Sequence, residues 1–211
     1  HSDGKHPSKI AWIQCVGSRS LHEGAASYCS SACCMFALKE AIVTKERFQD
    51  SIETSIFYMD MRTFGKDYEL YLNRAKDDYG IRLVRSRPHS IFHDPKTGAL
   101  SIIYTPHDSN TNVTEDFDMV VLSIGLMARA DAKDFAERLD IKLDRYVFAP
   151  TRCFSPIEPS KPGIYVCGAF QGPKDIPGTV MEACAAADTA MGLLAPVRNS
   201  RVKKKEYPVE K

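Results

Sequence analysis

Three apolar runs of strand length, separated by amphipathic stretches of helix length, decide what this chain can fold into. KIAWIQC (9–15), TSIFYMD (54–60) and IRLVR (81–85) read as buried strands. Between them, CMFALKEAIVTKER (34–47) sets Met35, Leu38 and Ile42 at helical spacing. KDYELYLNRAKDDY (66–79) puts Tyr68, Leu72, Ala75 and Tyr79 on one face, and Gly80 stops it. A β-α-β-α-β order of this kind builds a parallel sheet covered by helices. The pattern then changes. PHSIFHD (88–94) and LSIIYTP (100–106) flank the turn PKTG, which predicts a small antiparallel hairpin, and NTNVTED (110–116) reads as a loop. DMVVLSIG (118–125) and GIYVCGA (163–169) read as buried strands ending in glycine, and DAKDFAERL (131–139) as a short amphipathic helix. TVMEACAAADTAMGLL (179–194) reads as a helix opened by a Thr179–Glu182 capping box, with Val180, Ala183, Cys184, Ala187, Met191 and Leu194 on one face.

Composition excludes several classes of function. Of the 211 residues, 44% are hydrophobic and 26% charged, as in an ordinary globular chain, and the formal net charge is +1. That balance supplies no electrostatic footprint for nucleic acid or an anionic membrane. No uninterrupted apolar run has the roughly 18 residues of a membrane span. The opening HSDGKHPS is polar and unlike a signal peptide. Seven cysteines, an odd number with Cys33 and Cys34 adjacent, make a poor framework for secreted disulfides. The expectation is a reducing, cytoplasmic setting in which the first cysteines do chemistry.

Cys15, Cys29, Cys33 and Cys34 are the sharpest chemical signal. Cys15 closes the first strand, at the end where open α/β sheets bind ligands. The other three lie at the start of the next helix, whose amino-terminal amides favour thiolates by roughly 1 kcal/mol. The intervening VGSRSLHEGAASY is long enough to fold back and bring Cys15 beside them. Four thiolates about one point can hold a [4Fe–4S] cluster or a zinc ion. Unliganded core cysteines and a redox dithiol are the other readings. Neither a second C-x₂₋₄-C knuckle, a C-x-x-C nor a ferredoxin run is present to decide among them. Cys153, Cys167 and Cys184 read as core residues.

A second signal is GIYVCGAFQGPKDIPGTVMEACAAA (163–187): a strand, a glycine-rich loop and a helix start. The free amides of such a helix suit a negatively charged ligand atom, such as the pyrimidine oxygen of a reduced flavin. Small residues along the helix allow close approach, and Lys174 is the one charge in the loop with the reach to meet a flavin ring. A plain strand–helix connection explains the pattern equally well. No G-x-G-x-x-G occurs anywhere, so a complete dinucleotide fingerprint is missing.

Taken together, IQCVGSRS, YCSSACCMFALKEA, IFYMDMRTFGKDYELYLNRA, VVLSIGL and GAFQGPKDIPGTVMEACAAA resemble the A-type family of heterodisulfide reductase subunits, the flavin and iron–sulfur component found in methanogens and many sulfate reducers. The likeness runs over about residues 2–195. It implies an α/β fold of the thioredoxin-reductase-like FAD/NAD(P)-binding type: a parallel-sheet domain with a small antiparallel hairpin insertion, its FAD domain incomplete. It implies three segments: 8–118, a nucleotide-domain-like unit carrying the cysteines; 119–197, the carboxyl-side half of an FAD domain; and 198–211, a basic linker. It carries ligation of a [4Fe–4S] cluster onto Cys15, Cys29, Cys33 and Cys34. FAD contact is carried onto Gly125 and onto a loop containing Gly168, Ala169, Gly172, Lys174, Asp175, Ile176, Pro177, Gly178, Thr179 and Val180. Ala169 stands where related flavoenzymes carry an acidic residue for the ribityl chain.

In the family, a half bearing the dinucleotide fingerprint precedes the segment corresponding to this chain and ferredoxin domains commonly follow, so the chain reads as an excised middle portion or a split-gene product. The family's activity implies an oxidoreductase component that passes electrons between FAD and the cluster, with electron bifurcation between a heterodisulfide and ferredoxin. Its partners would be companion reductase subunits and ferredoxin-type carriers, with no nucleic acid and no membrane span. The strand–turn–helix at 9–47 would hold a pyridine nucleotide in the wider superfamily. Its cysteines imply that an iron–sulfur centre has replaced that nucleotide as the flavin's electron partner. A zinc-stapled structural domain that docks partner subunits is the alternative function.

Overall fold

The computed structural model describes residues 4, 6–48 and 51–198. They divide into two compact units, 1–126 and 127–211. In the first unit the alternating pattern forms a parallel sheet. Its elements are strand β1 (Lys9–Ile13), helix α1 (Cys33–Phe48), strand β2 (Glu53–Tyr58), helix α2 (Tyr68–Asp77) and strand β3 (Arg82–Arg85). After an insertion comes β7 (Met119–Leu122), which returns to pair with β1 on its free side. The order β3-β2-β1-β7 is parallel throughout. This is the 3-2-1-4 arrangement of half a doubly wound sheet, with its topological switch point between the carboxyl ends of β1 and β7.

The insertion forms an antiparallel sheet of β4 (Ser90–His93), β5 (Leu100–Tyr104) and β6 (Val113–Phe117). The predicted hairpin is therefore one strand short, because 113–117, read as loop, is a strand. Its alternation is masked by Glu115, which takes an inward position between Val113 and Phe117.

Strand alternation sorts the core onto two faces. Ile10, Trp12 and Ile56 pack with Leu38, Ala41 and Ile42 of α1 and with Ala75 of α2. Ala11, Ile13 and Phe57 point the other way, against Ile102, Tyr104 and Phe117 of the antiparallel sheet. Phe57 meets Tyr104 and Phe117 edge-on, at ring separations of 4.9 and 5.9 Å. Covering both faces explains why the strands read as continuous apolar runs.

Glu115 ties the two sheets together. Both its oxygens accept from Arg82 at 2.7 Å, Lys9 lies 2.8 Å away, and the Tyr104 hydroxyl donates at 2.9 Å. Burial pushes the carboxyl up, but these hydrogen bonds outweigh it and hold Glu115 below its ordinary range.

The second unit has a smaller core of Ala136, Ile141, Ala149 and Val166, with α3 (Ala132–Leu139) on one side. The predicted strand 163–169 is absent. Val166 N bonds the Ile157 carbonyl and Ile164 N the Lys161 carbonyl, and no ladder forms there among the described residues. Helix α4 (Ile176–Leu194) begins three residues before the expected start. Its cap is Asp175, which accepts from Gly178 N at 2.8 Å; Thr179 and Glu182 do not form the predicted capping box.

No residue of α4 is buried. Cys184 and Cys153 are exposed and Cys167 half-buried, so these three are not the core residues expected of them. Residues 176–197 are also long and apolar enough, by length and composition, to cross a membrane. The uninterrupted-run criterion passes over this stretch because Glu182 and Asp188 break it, and charges there are costly in a bilayer. The basic linker lies outside the described residues apart from Arg198.

Glu115→Gln is expected to lower the unfolding free energy by about 2 kcal/mol at pH 7, since it weakens charge-assisted hydrogen bonds in a half-buried site. A carboxylate whose pKa is depressed by folding stabilises above its unfolded pKa and loses that contribution as pH falls through the folded value. Denaturant titrations should therefore show the wild-type advantage at neutral pH shrinking below about pH 4.

Candidate metal centre and the glycine-rich loop

The four cysteines gather at the switch point of the parallel sheet. β1 ends at Ile13, and Cys15 follows in a left-handed turn with φ 61°. The loop from 16 to 32 then folds back on itself through Ala26 N–Gly17 O (2.9 Å), Arg19 N–Tyr28 O (3.1 Å) and Ser20 N–Ala26 O (3.2 Å). That return delivers Cys29 beside the first turn of α1, where Cys33 and Cys34 stand. Cys15, Cys29, Cys33 and Cys34 line one small cavity with Ser18, Arg19, Ser30, Ser31, Ala32 and Arg62. Neither histidine nor carboxylate borders it.

The loop is pinned to the end of β7. Gly125 adopts φ +80°, and a Cβ there would stand 2.4 Å from the Ser30 hydroxyl oxygen and 2.5 Å from that of Ser18. Only glycine permits that approach. The Ser30 hydroxyl oxygen accepts from Leu126 N at 2.8 Å, and Val16 N donates to Ser123 O at 3.1 Å. Gly125, predicted as a flavin contact, thus lies against the cysteine loop in the first unit. The other predicted flavin residues belong to the second.

Cys29 accepts from Ser31 N at 3.3 Å. Arg19 favours the thiolate of Cys15, Ser30 that of Cys33 and the Arg62 backbone that of Cys34. Burial nevertheless pushes Cys15, Cys33 and Cys34 up. For Cys15 it outweighs the lowering by Arg19. For Cys33 the neighbouring Cys29 and Cys15 add to it. Cys34 is pushed up to about 11, burial again leading. The expected lowering by the amino terminus of α1 is the smaller effect. As free thiols Cys15, Cys33 and Cys34 stay protonated at neutral pH, and a cation would have to displace their protons.

The donor set fits a thiolate-ligated metal or cluster, having four cysteines, supporting donors and no competing ligand. Among the described residues no group of three or more His, Cys, Asp or Glu has the spacing of an assembled metal site. The thiols share a cavity without being drawn into a closed ligand set.

Arg19 is itself anchored. Its Nη1 bonds Asp60 Oδ1 and its Nη2 donates to Asp60 Oδ2 at 3.1 Å. The Arg19 side chain is 22% exposed and that of Asp60 47%. Sequence spacing places Arg19 in the turn but gives Asp60 no role. Their pairing joins the β1 turn to the end of β2, which spacing alone does not disclose.

In the second unit, Gly168 and Ala169 lie in a 3-10 turn, with Gly168 at φ +66°. Gly172 follows, and Ile176, Pro177, Gly178, Thr179 and Val180 make the first turn of α4. Glu182 holds the loop by accepting from Gly168 N at 2.9 Å and from the Lys174 ammonium, which also bonds Gln171. Lys174 is therefore paired within its own unit. Beside the turn, a cavity of about 410 Å³ is lined by Met127, Ala132, Phe135, Ala169 and Phe170, with Arg129 and Asp131 at its polar side. Its size and apolar lining suit part of a small aromatic ligand.

No protein-family model matches the chain. It is 41% identical over 196 residues to the second of the A-type iron-sulfur subunits of CoB–CoM heterodisulfide reductase in Methanopyrus kandleri, a match covering 92% of this chain and 30% of that protein. It is 44% identical over 193 residues to the A-type component of the H(2)/formate:CoB-CoM heterodisulfide,ferredoxin reductase of Methanococcus maripaludis, with 88% and 28% covered. Among solved structures, thioredoxin reductases of Lactococcus lactis (TM-score 0.55, 21% identity) and T. acidophilum (0.53, 16%) each align over 89% of this chain and 53% of theirs. Those structures establish a thioredoxin-reductase-like fold of FAD/NAD(P)-binding type, present in part. Over about nine-tenths of its length, the chain is homologous to the A-type iron-sulfur subunits of heterodisulfide reductase, of whose full length it spans about three-tenths.

Proposed function

We propose that the chain is the electron-transfer portion of a heterodisulfide-reductase-like oxidoreductase, with Cys15, Cys29, Cys33 and Cys34 holding a [4Fe–4S] cluster and the 168–180 loop forming the flavin end of an FAD site. The observation that carries this reading is the gathering of four thiols around one cavity at the switch point of a parallel sheet. Superfamily members of this fold have a ligand crevice at that point. The cavity is lined by cysteine, serine and arginine instead of a glycine-rich phosphate loop, which suits a sulfur-ligated centre better than a nucleotide.

When bound, a cluster there exchanges single electrons while a flavin takes up two, so the pair converts between the two modes. The chain's own residues bind and orient. Ser30 links the cluster loop to Leu126, and Asp175 and Glu182 fix the first turn of α4 and the Gly168 amide. The unburied α4 and the lack of a sheet ladder over 163–169 among the described residues support completion of the flavin domain by further polypeptide. In this reading the companion subunits and ferredoxin-type carriers are its partners, electron bifurcation is its process and the cytoplasm its place.

Anaerobically purified chain should contain about four irons with matching acid-labile sulfide. Cys33→Ala should remove them, while Cys184→Ala, at an exposed helix position, should not. A colourless protein containing zinc would favour the structural alternative and overturn the cluster.

FAD makes a complementary test. The chain lacks the fingerprint loop for the cofactor's phosphates, and each missing charge-assisted contact forfeits about 1.5–3 kcal/mol, where about 1.4 kcal/mol is tenfold in affinity. The chain alone should bind no stoichiometric flavin, and a polypeptide bearing the fingerprint half, added in trans, should restore it. Gly178→Leu should then abolish binding, because a Cβ there stands 3.0 Å from the capping Asp175 oxygen. Tight flavin binding by the chain alone would contradict this account.

A further inference from the structure

We infer that Arg19, clamped by Asp60, is a positioning residue that sets the reduction potential of the centre held by the four cysteines, through its fixed charge beside them. The inference rests on the cluster reading above.

Three independent features single out Arg19. It lines the cavity of the four thiols, and its charge favours the Cys15 thiolate. Two bonds to the Asp60 carboxylate fix its orientation, so it does not sample the free rotamers of a surface arginine. Its backbone is left-handed, φ 54°, within a loop that also holds Cys15 at 61° and Ser31 at 60°. Such conformations disfavour ordinary side chains and persist only where the surroundings enforce them. The other charges facing the cavity are limited. Arg62 lines it too and lies 3.4 Å from the same Asp60 oxygen, but that one long contact holds a side chain 41% exposed, against 22% for Arg19. Arg19 is therefore the more firmly fixed cation of the cavity.

The consequence follows from charge. Four thiolates around an oxidised [4Fe–4S] core make a dianion, and uptake of one electron makes a trianion. A fixed cation beside the sulfurs stabilises the more negative state. Net charge and hydrogen bonds to sulfur are the levers that set such potentials. Arg19 thus raises the potential and makes the centre easier to reduce. Asp60 aims the fork and partly offsets its charge.

The test is a redox titration of the full chain, loaded anaerobically with iron and sulfide and followed by electron paramagnetic resonance of the reduced centre. Arg19→Gln should retain its iron but show at least a tenfold smaller reduced-to-oxidised ratio at fixed solution potential. For one electron this is a fall of about 59 mV. Arg19→Lys keeps a charge but loses the fork, and should fall between the two. Arg129→Gln, an exposed arginine of the second unit paired with Asp131, should leave the potential unchanged. An iron-replete Arg19→Gln protein with wild-type potential overturns the inference. If that variant does not hold iron, Arg19→Lys decides: a lowered potential supports the role and an unchanged one refutes it. Failure of the wild-type chain to take up iron would instead sink the cluster reading, so the two failures are distinguishable.

Discussion

The contact of Gly125 with Ser18 and Ser30 governs the candidate site. It occurs where two parallel strands diverge, the point at which this sheet topology leaves a crevice. With no side chain at 125, the returning loop can press against the end of β7 and hand the Leu126 amide to Ser30. Ser30 then spans two tasks, accepting from the Leu126 backbone and favouring the Cys33 thiolate. A methyl group at 125 would separate the loop from the strand and move Cys29 and Cys33 relative to Cys15. The sheet core below is built from ordinary aliphatic packing, and it fixes where this contact falls.

Electrostatics at the site reflect competing terms. A helix amino terminus and an arginine favour thiolates, yet burial prevails, and Cys34 is pushed up to about 11. Cys15, Cys33 and Cys34 are thus buried enough to resist ionising alone, yet they lie beside groups that favour their thiolates once a cation has removed the protons. That combination suits ligands better than it suits a reactive nucleophile, which needs its thiolate at neutral pH.

Much of this was legible in the sequence, and the exceptions have definite causes. Ile10, Trp12, Ile56 and Leu38 announced the parallel sheet and its helix because they are buried and apolar, the Trp12 indole nitrogen alone among their side chains being polar and donating to Glu40 at 2.8 Å. Glu115 hid a strand: an inward carboxylate satisfied by Lys9, Arg82 and Tyr104 breaks the alternation, and those partners are more than ten residues away. The Thr179–Glu182 spacing mimicked a capping box, while Asp175 supplied the cap and Glu182 turned to the Gly168 amide and Lys174. The apolar 163–169 run had strand composition but no neighbour to pair with. The crowding of Cys15, Cys29, Cys33 and Cys34 was readable from spacing. The Arg19–Asp60 clamp was not, since it depends on how two strand ends meet.

The account's central claim is that iron bound to sulfur occupies the switch-point crevice. Its most direct test is anomalous diffraction at the iron absorption edge, on crystals of the chain grown and loaded with iron and sulfide without oxygen. The account predicts a compact group of about four iron peaks bridged by sulfide, coordinated by Cys15, Cys29, Cys33 and Cys34 and flanked by Arg19. A single metal peak within that crevice, or iron held by other residues, would contradict it.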